Sequence, residues 1–513
     1  MTYLTFLFKK WYILMMTTEL KKINRDSIKK SSIFNITIKL ITYLIPLVLS
    51  PYLYRTLSFT GVGTFEFQYA YVTYFAMITS FGFDTYGTRR ISTASDNIDE
   101  LSKRFWSIFS AKIILGSFSL ITYFLVMLSG SFGKSDTFAS YSLLSLFIVS
   151  AMTDISFFYQ GIEKFKGVAL RTVFIKLLNL ILIFIFVKTP NDYLKYVAIM
   201  GCSYVAASAV MYLPLKKYIK FHNVKALYIK EELKKSSVFF ISALAMNLYT
   251  TLQKTILGLM TNETQVGYYS SAMKLKDVIV QLCYGIITVY YSRISYLVSQ
   301  DKRDETLQKT YTCFNAIFDI ALPASIGLIC VSDVFMPLYF GNDASNAVNM
   351  MIFVSLSIPF LAMSLLVSNV YLMPYNKQNK ANVAYVSAVF INILLSFIFI
   401  KFLGGNGVAI AALISDTYIA LLFVHFSKNA INYKTILNKL SKPFLSSLIM
   451  AICYYLGKFL LKNKISDNKA MVVLIIFSMI LYTTLMIIFK DDFLYHLFQS
   501  LKSKAKSILH KKN

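Results

Sequence analysis

The sequence predicts an all-α polytopic membrane protein of about fourteen transmembrane helices, built as two six-helix lobes related by a parallel pseudo-two-fold repeat, with two further helices at the carboxyl-terminal end. Three observations carry that prediction. Apolar runs of about 20 residues or more alternate with short Lys-rich breaks from about residue 31 to 489. Each run is long enough for a hydrocarbon core of about 30 Å at about 1.5 Å per residue. The chain is 56% hydrophobic and 15% charged, yet Lys and Arg (52) outnumber Asp and Glu (25), a net charge of +27. A soluble nucleic-acid binder would carry such charge on a polar surface, so nucleic acid is not an expected partner. Finally, short strings recur in the same order about 205 to 213 residues apart.

The elements follow in chain order. Residues 1–30 form a basic amino-terminal arm. Its apolar pieces, Thr2–Phe8 and Trp11–Met16, are split by Lys9 and Lys10 and lack a small-residue cleavage site, so a signal peptide is not expected and Met15 or Met16 is an alternative start. Spans 1 to 6 (31–56, 65–88, 104–129, 138–161, 168–188 and 193–213) make an amino-terminal lobe, 31–213. A basic linker, 214–235, is the longest connection and leaves no room for a catalytic domain outside the membrane. Spans 7 to 12 (236–260, 266–292, 311–333, 347–372, 381–400 and 405–427) make a second lobe, 236–427. Spans 13 and 14 (441–460 and 469–489) lie within 428–489, and a basic tail, 490–513, follows.

The repeat rests on three matches. Lys29-Lys30-Ser31-Ser32-Ile33-Phe34 recurs as Lys234-Lys235-Ser236-Ser237-Val238-Phe239. Val62-Gly63 recurs as Val266-Gly267, and Asn179–Lys188 matches Asn392–Lys401 at six of ten positions. Six spans per repeat is an even number, so the halves share one orientation about an axis along the membrane normal, as in many secondary transporters. With the amino terminus inside, cytoplasmic segments hold about 35 Lys and Arg and outer loops about 6, which places both termini in the cytoplasm.

Ionisable residues within spans are the candidate functional groups, because each costs several kcal/mol unless it meets a cavity or a partner. Lys39, Lys112 and Lys176 lie about eight residues inside the cytoplasmic ends of spans 1, 3 and 5, roughly 12 Å deep. Lysines at one depth on alternate helices predict a cationic cavity suited to an anionic headgroup, with Lys254 and Lys274 of the second half as further members. Snorkelling or local pairing is the competing reading for each. Lys276 and Asp277 also fall in span 8. Asp154, Asp319 and Asp416 add carboxylates as coupling candidates, with Asp277. Asp84, one turn before Arg89 and Arg90, forms a gate or, the preferred reading, a structural ion-pair cluster.

Other chemistry lacks its motifs. Five single cysteines and four isolated histidines give no disulfide framework or metal site, and no cofactor is expected. There is no G-x-x-x-x-G-K-[ST] loop and no filter-like Gly-rich segment. The high aromatic content is read as interfacial belts, with sugar stacking open for some rings.

Several strings are similar to those of a known family. Pro51–Phe65 (PYLYRTLSFTGVGTF), Phe81–Asn97 (FGFDTYGTRRISTASDN), Phe105-Trp106 and Asp154–Lys166 (DISFFYQGIEKFK) resemble the amino-terminal half of Wzx-type polysaccharide repeat-unit flippases. Leu252–Met260, Val266–Lys276, Phe318–Leu328 and Tyr371–Lys377 (YLMPYNK) resemble the second half, so the likeness covers roughly residues 30 to 425. These flippases belong to the multidrug/oligosaccharidyl-lipid/polysaccharide exporter superfamily. The resemblance implies two lobes around a central cavity that rock between inward- and outward-open states. It also implies a repeat-unit oligosaccharide on undecaprenyl pyrophosphate, flipped to the outer leaflet of a bacterial cytoplasmic membrane for capsule, exopolysaccharide or surface-antigen assembly, with membrane lipids, a polymerase and chain-length proteins as partners and no enzymatic activity. Lys39, Lys254 and Lys274 fall where members carry polar or basic cavity residues. Gln253 stands where an acidic residue is expected, which counts against a Lys–carboxylate switch there. Ser292 replaces a proline before Arg293, which counts against a kink at the inner end of span 8.

Three rivals remain at this level. A drug or cation antiporter of the superfamily would favour carboxylates over lysines and twelve spans. The flippase for the peptidoglycan lipid precursor also reaches fourteen spans, and the strings around Asp154 and Gly267 favour the repeat-unit branch. A glycan polymerase would need extracytoplasmic catalytic loops, which the short outer connections exclude.

Overall fold

The computed structural model describes residues 44–94, 97–129, 138–462 and 464–491, and the regular structure among these is helical throughout. Helices occupy the places of all fourteen expected spans, the first from Leu44 onward. The basic arm, Lys39 and nearly all of the tail lie outside the described residues.

Nine of the described helices are long and apolar enough to cross a membrane. The helices missing from that set include span 2 (Ser58–Ser80), span 7 (Ala226–Met260) and span 8 (Glu263–Ser299). These three carry Glu66, Gln68, Lys254, Lys274, Lys276 and Asp277. A helix this polar at membrane depth is stable only with its polar side against protein or a cavity. Span 8 runs uninterrupted through Ser292, as its missing proline predicts.

Two spans are broken. Span 4 is helical over Phe138–Thr153, open at Asp154 and Ile155, and helical again over Ser156–Gly161. Span 10 runs Val348–Leu356, bends at Ser357, continues over Ile358–Val367 and ends in a π-turn, Ser368–Leu372. Pro359 has no N–H to give the Ser355 carbonyl, and the Ser325 hydroxyl of span 9 donates to that carbonyl at 2.7 Å instead. Span 9 is one helix, Arg303–Phe340, with Pro323 inside it. The Asp319 carbonyl that Pro323 cannot serve accepts from the Tyr482 hydroxyl of span 14 at 3.0 Å. Span 14 (Asp467–Ile488) and span 13 (Tyr433–Leu461) dock on span 9 through Cys330, Val331, Tyr454, Met471 and Leu474.

The described chain forms two compact units. One holds Val72–Lys188 and Leu194–Ile241 together with 44–46. The other holds Leu47–Tyr71, Thr189–Tyr193 and the chain from Ser242 on. The start of span 2, counted from sequence in the first lobe, thus groups with the second unit. The first unit's core is aromatic: Phe83 and Phe105 meet Phe157 and Phe158 of the DISFFYQG string. The second is packed by spans 8, 9, 10 and 12 through Ile287, Phe314, Ile317, Leu366 and Phe423.

Candidate functional site

In the second unit the first turns of spans 2 and 8 meet through equivalent strings, Phe59-Thr60-Gly61-Val62-Gly63 and Glu263-Thr264-Gln265-Val266-Gly267. The contact is reciprocal. A Cβ on Gly63 would fall on the Glu263 carbonyl oxygen, and a Cβ on Gly267 would fall on the Phe59 carbonyl oxygen. Between them the Thr60 and Thr264 hydroxyls, 204 positions apart, lie 2.8 Å from each other. Only glycine permits so close a backbone approach. Tyr54 adds a hydrogen bond from its hydroxyl to the Gly267 carbonyl, at 3.2 Å.

One turn farther along span 2 stands Glu66. Its Oε2 lies 2.7 Å from Lys254 Nζ of span 7, and its Oε1 lies 3.4 Å from Lys274 Nζ of span 8. Lys274 also lies over the Tyr54 ring, 5.1 Å from its centroid. The three side chains are between 12% and 29% exposed, so the cluster is partly open. Two ammonium groups share one carboxylate, which leaves a net positive, reachable charge. Gln253 accepts a hydrogen bond from the Tyr269 hydroxyl. The carboxylate that position 253 lacks is supplied beside Lys254 by Glu66. Glu66 escaped sequence analysis because it sits one residue inside the expected start of span 2 and its partner lies 188 positions away. Asp277, one turn beyond Lys274, is exposed.

Two other intramembrane lysines serve the broken spans. Lys112, 1% exposed, donates from Nζ to the Asp154 carbonyl at 2.7 Å, where span 4 opens. The Asp154 carboxylate accepts from the Ser156 N–H at 2.7 Å and starts the short helix beyond the break. Lys112 and Asp154 thus come together, but as the repair of a helix break. Lys276 pairs with Asp416 of span 12 at 3.5 Å and donates to the Ser357 hydroxyl at the bend of span 10, at 3.4 Å. That pair is buried, at 4% and 1% exposure.

The remaining candidates are dispersed. Lys176 is half-buried in span 5. Asp84 and Arg89 are exposed and form no ion pair among the described residues. Arg90 instead pairs at 3.3 Å with Glu232, a buried residue of the linker helix that also accepts from the Tyr86 hydroxyl. Asp319 is buried in span 9.

Comparison with known proteins adds three findings. The sequence model of the family described as "Polysaccharide biosynthesis protein" matches residues 28–298. Over 419 residues the chain is 26% identical to the "Putative O-antigen transporter" of Escherichia coli K12, covering 79% of this chain and 98% of that protein. In fold it resembles the inward-closed lipid II flippase MurJ, with a TM-score of 0.72 at 17% identity over 90% of this chain and 98% of MurJ. An inward-facing multidrug resistance MATE transporter of the MOP superfamily matches with a TM-score of 0.56 at 14% identity, over 77% of this chain and 94% of that one.

Proposed function

The chain belongs to the polysaccharide biosynthesis protein family, and on that premise we propose that it is a flippase for lipid-linked oligosaccharides. It moves repeat units carried on undecaprenyl pyrophosphate from the inner to the outer leaflet of a bacterial cytoplasmic membrane, with both termini in the cytoplasm. The observation that carries this reading is the Glu66–Lys254–Lys274 cluster on the three polar spans. A compact ammonium binds phosphate as a point charge. A diphosphate brings more negative charge than one carboxylate, so it displaces Glu66 and takes both lysines. Glu66 in turn pairs with both when the carrier has left, which lowers the penalty of two cations at membrane depth. Lys39 and Lys176 are further cationic candidates and are tested in the same export assay. Polymerase and chain-length proteins are the expected downstream partners.

The test uses a strain lacking its own repeat-unit flippase. Wild-type protein restores surface polysaccharide. Lys254→Ala and Lys274→Ala each lower it at least about ten-fold at equal expression, the equivalent of about 1.4 kcal/mol, and undecaprenyl-linked repeat units accumulate inside. Full display by both variants sinks the assignment.

A further inference from the structure

The string Tyr371–Lys377 carries part of the family resemblance, yet the Glu66 cluster does not use it. In the second unit it forms one wall of a cleft of about 280 Å³, closed on the other sides by the turns between spans 8 and 9 and between spans 12 and 13. The charged and aromatic lining is Asp301, Lys302, Arg303, Tyr371, Tyr375 and Lys377. Three cations thus face one carboxylate. Lys377 Nζ stands over the Tyr371 ring at 4.4 Å and the Tyr375 ring at 5.7 Å, and donates to the Tyr371 hydroxyl. Lys302 is held by Glu305 at 3.1 Å. Arg303 makes no ion pair among the described residues. The first turn of span 9 also carries Asp304 and Glu305, and its Arg303 and Thr306 N–H groups donate to the Asp301 and Lys302 carbonyls. Asp301 and Asn376 turn the two loops in the left-handed region, which their side-chain types tolerate, and so fix the cations in place.

We propose that this cleft binds a phosphate-bearing anion. Arg303 and Lys377 take the phosphate oxygens, and the Tyr375 ring lies against the attached organic group. The volume is at the low end for a small-molecule pocket, which fits a phosphorylated headgroup and excludes a whole oligosaccharide. Two sources offer that chemistry: an anionic membrane lipid, drawn in by basic loops near the surface, or a soluble phosphate ester.

Purified full-length protein in uncharged detergent separates them. Phosphatidylglycerol is added in one arm and glycerol 1-phosphate in the other, with phosphatidylcholine as the uncharged reference. Retention is read by native mass spectrometry and protection by the thermal unfolding midpoint. Wild type binds phosphatidylglycerol over phosphatidylcholine. Arg303→Gln with Lys377→Gln weakens binding at least about ten-fold, while Arg303→Lys with Lys377→Arg retains it and Lys309→Gln, outside the cleft, has no effect. Binding in the lipid arm alone assigns the headgroup source, and binding in both arms shows that a free ester suffices. No binding in either arm, or equal binding by the double Gln variant, overturns the proposal. The Gln substitutions at the exposed Arg303 and the half-buried Lys377 are also made singly, so a poorly folding double variant does not hide the result. No oligosaccharide is present, so failure here leaves the transport reading where the export assay puts it.

Discussion

At the scale of single residues, the intramembrane lysines fall into two kinds. Lys254 and Lys274 share Glu66 in a partly open cluster, whereas Lys112 and Lys276 are buried and answer backbone or side-chain groups at helix breaks. Depth along a helix cannot distinguish these kinds, because it says nothing of which way a side chain turns. The face could have been read for Lys112. It lies on the stripe Ser102, Phe105, Ile108, Ala111, Gly116, Ser119 and Tyr123, the small and aromatic side of span 3 that packs inward. The Lys276–Asp416 pair gives a sharp prediction. Lys276→Met removes the ammonium beside a buried carboxylate and lowers stability by about 3–5 kcal/mol, whereas Lys276→Met with Asp416→Leu regains most of that loss. Thermal unfolding of the purified variants measures it. Additive losses in the double variant would show that the two groups do not act as a pair.

The elements were legible where composition alone decides and illegible where a remote residue decides. Among the described residues helices stand at the places of the expected spans because apolar runs of membrane length have few other stable forms. The breaks were not foreseen, since Ser325, Tyr482 and Lys112 supply the missing hydrogen bonds from other spans. Those hydroxyls also explain how a proline persists in span 9: Tyr482 serves the carbonyl that Pro323 leaves open. Tyr482→Phe is therefore expected to cost about 0.6–2 kcal/mol, read as a lower unfolding midpoint, while Thr483→Val, on the exposed side of the same helix, leaves it unchanged. The crossing of spans 2 and 8 makes its own prediction. Thr60→Cys with Thr264→Cys forms a disulfide under mild oxidant, since the two hydroxyls lie 2.8 Å apart. Adding Gly63→Ala forces the helices apart and slows the crosslink. A crosslink yield indifferent to Gly63→Ala would mean that the glycine does not set the approach.

For the whole molecule, charge and topology are one statement. Counted over fourteen spans, most of the +27 is expected in connections on one face, and the positive-inside rule predicts the orientation from it. Single cysteines introduced at His222 and Asp301 should therefore react with a membrane-impermeant maleimide only after the membrane is opened, and cysteines at Ser129 and Ile465 in intact cells. The reverse pattern would invert the topology. The reciprocal contact of Gly63 and Gly267 also has a symmetry of its own. A surface on which residue i touches j while j touches i is isologous, the signature of two identical subunits about a two-fold axis. Thr60 and Thr264, at equivalent places in the two strings, touch as one threonine would touch its own copy across such an axis. A side chain gained by either glycine would collide with the backbone of the equivalent string, so each position holds the other to glycine.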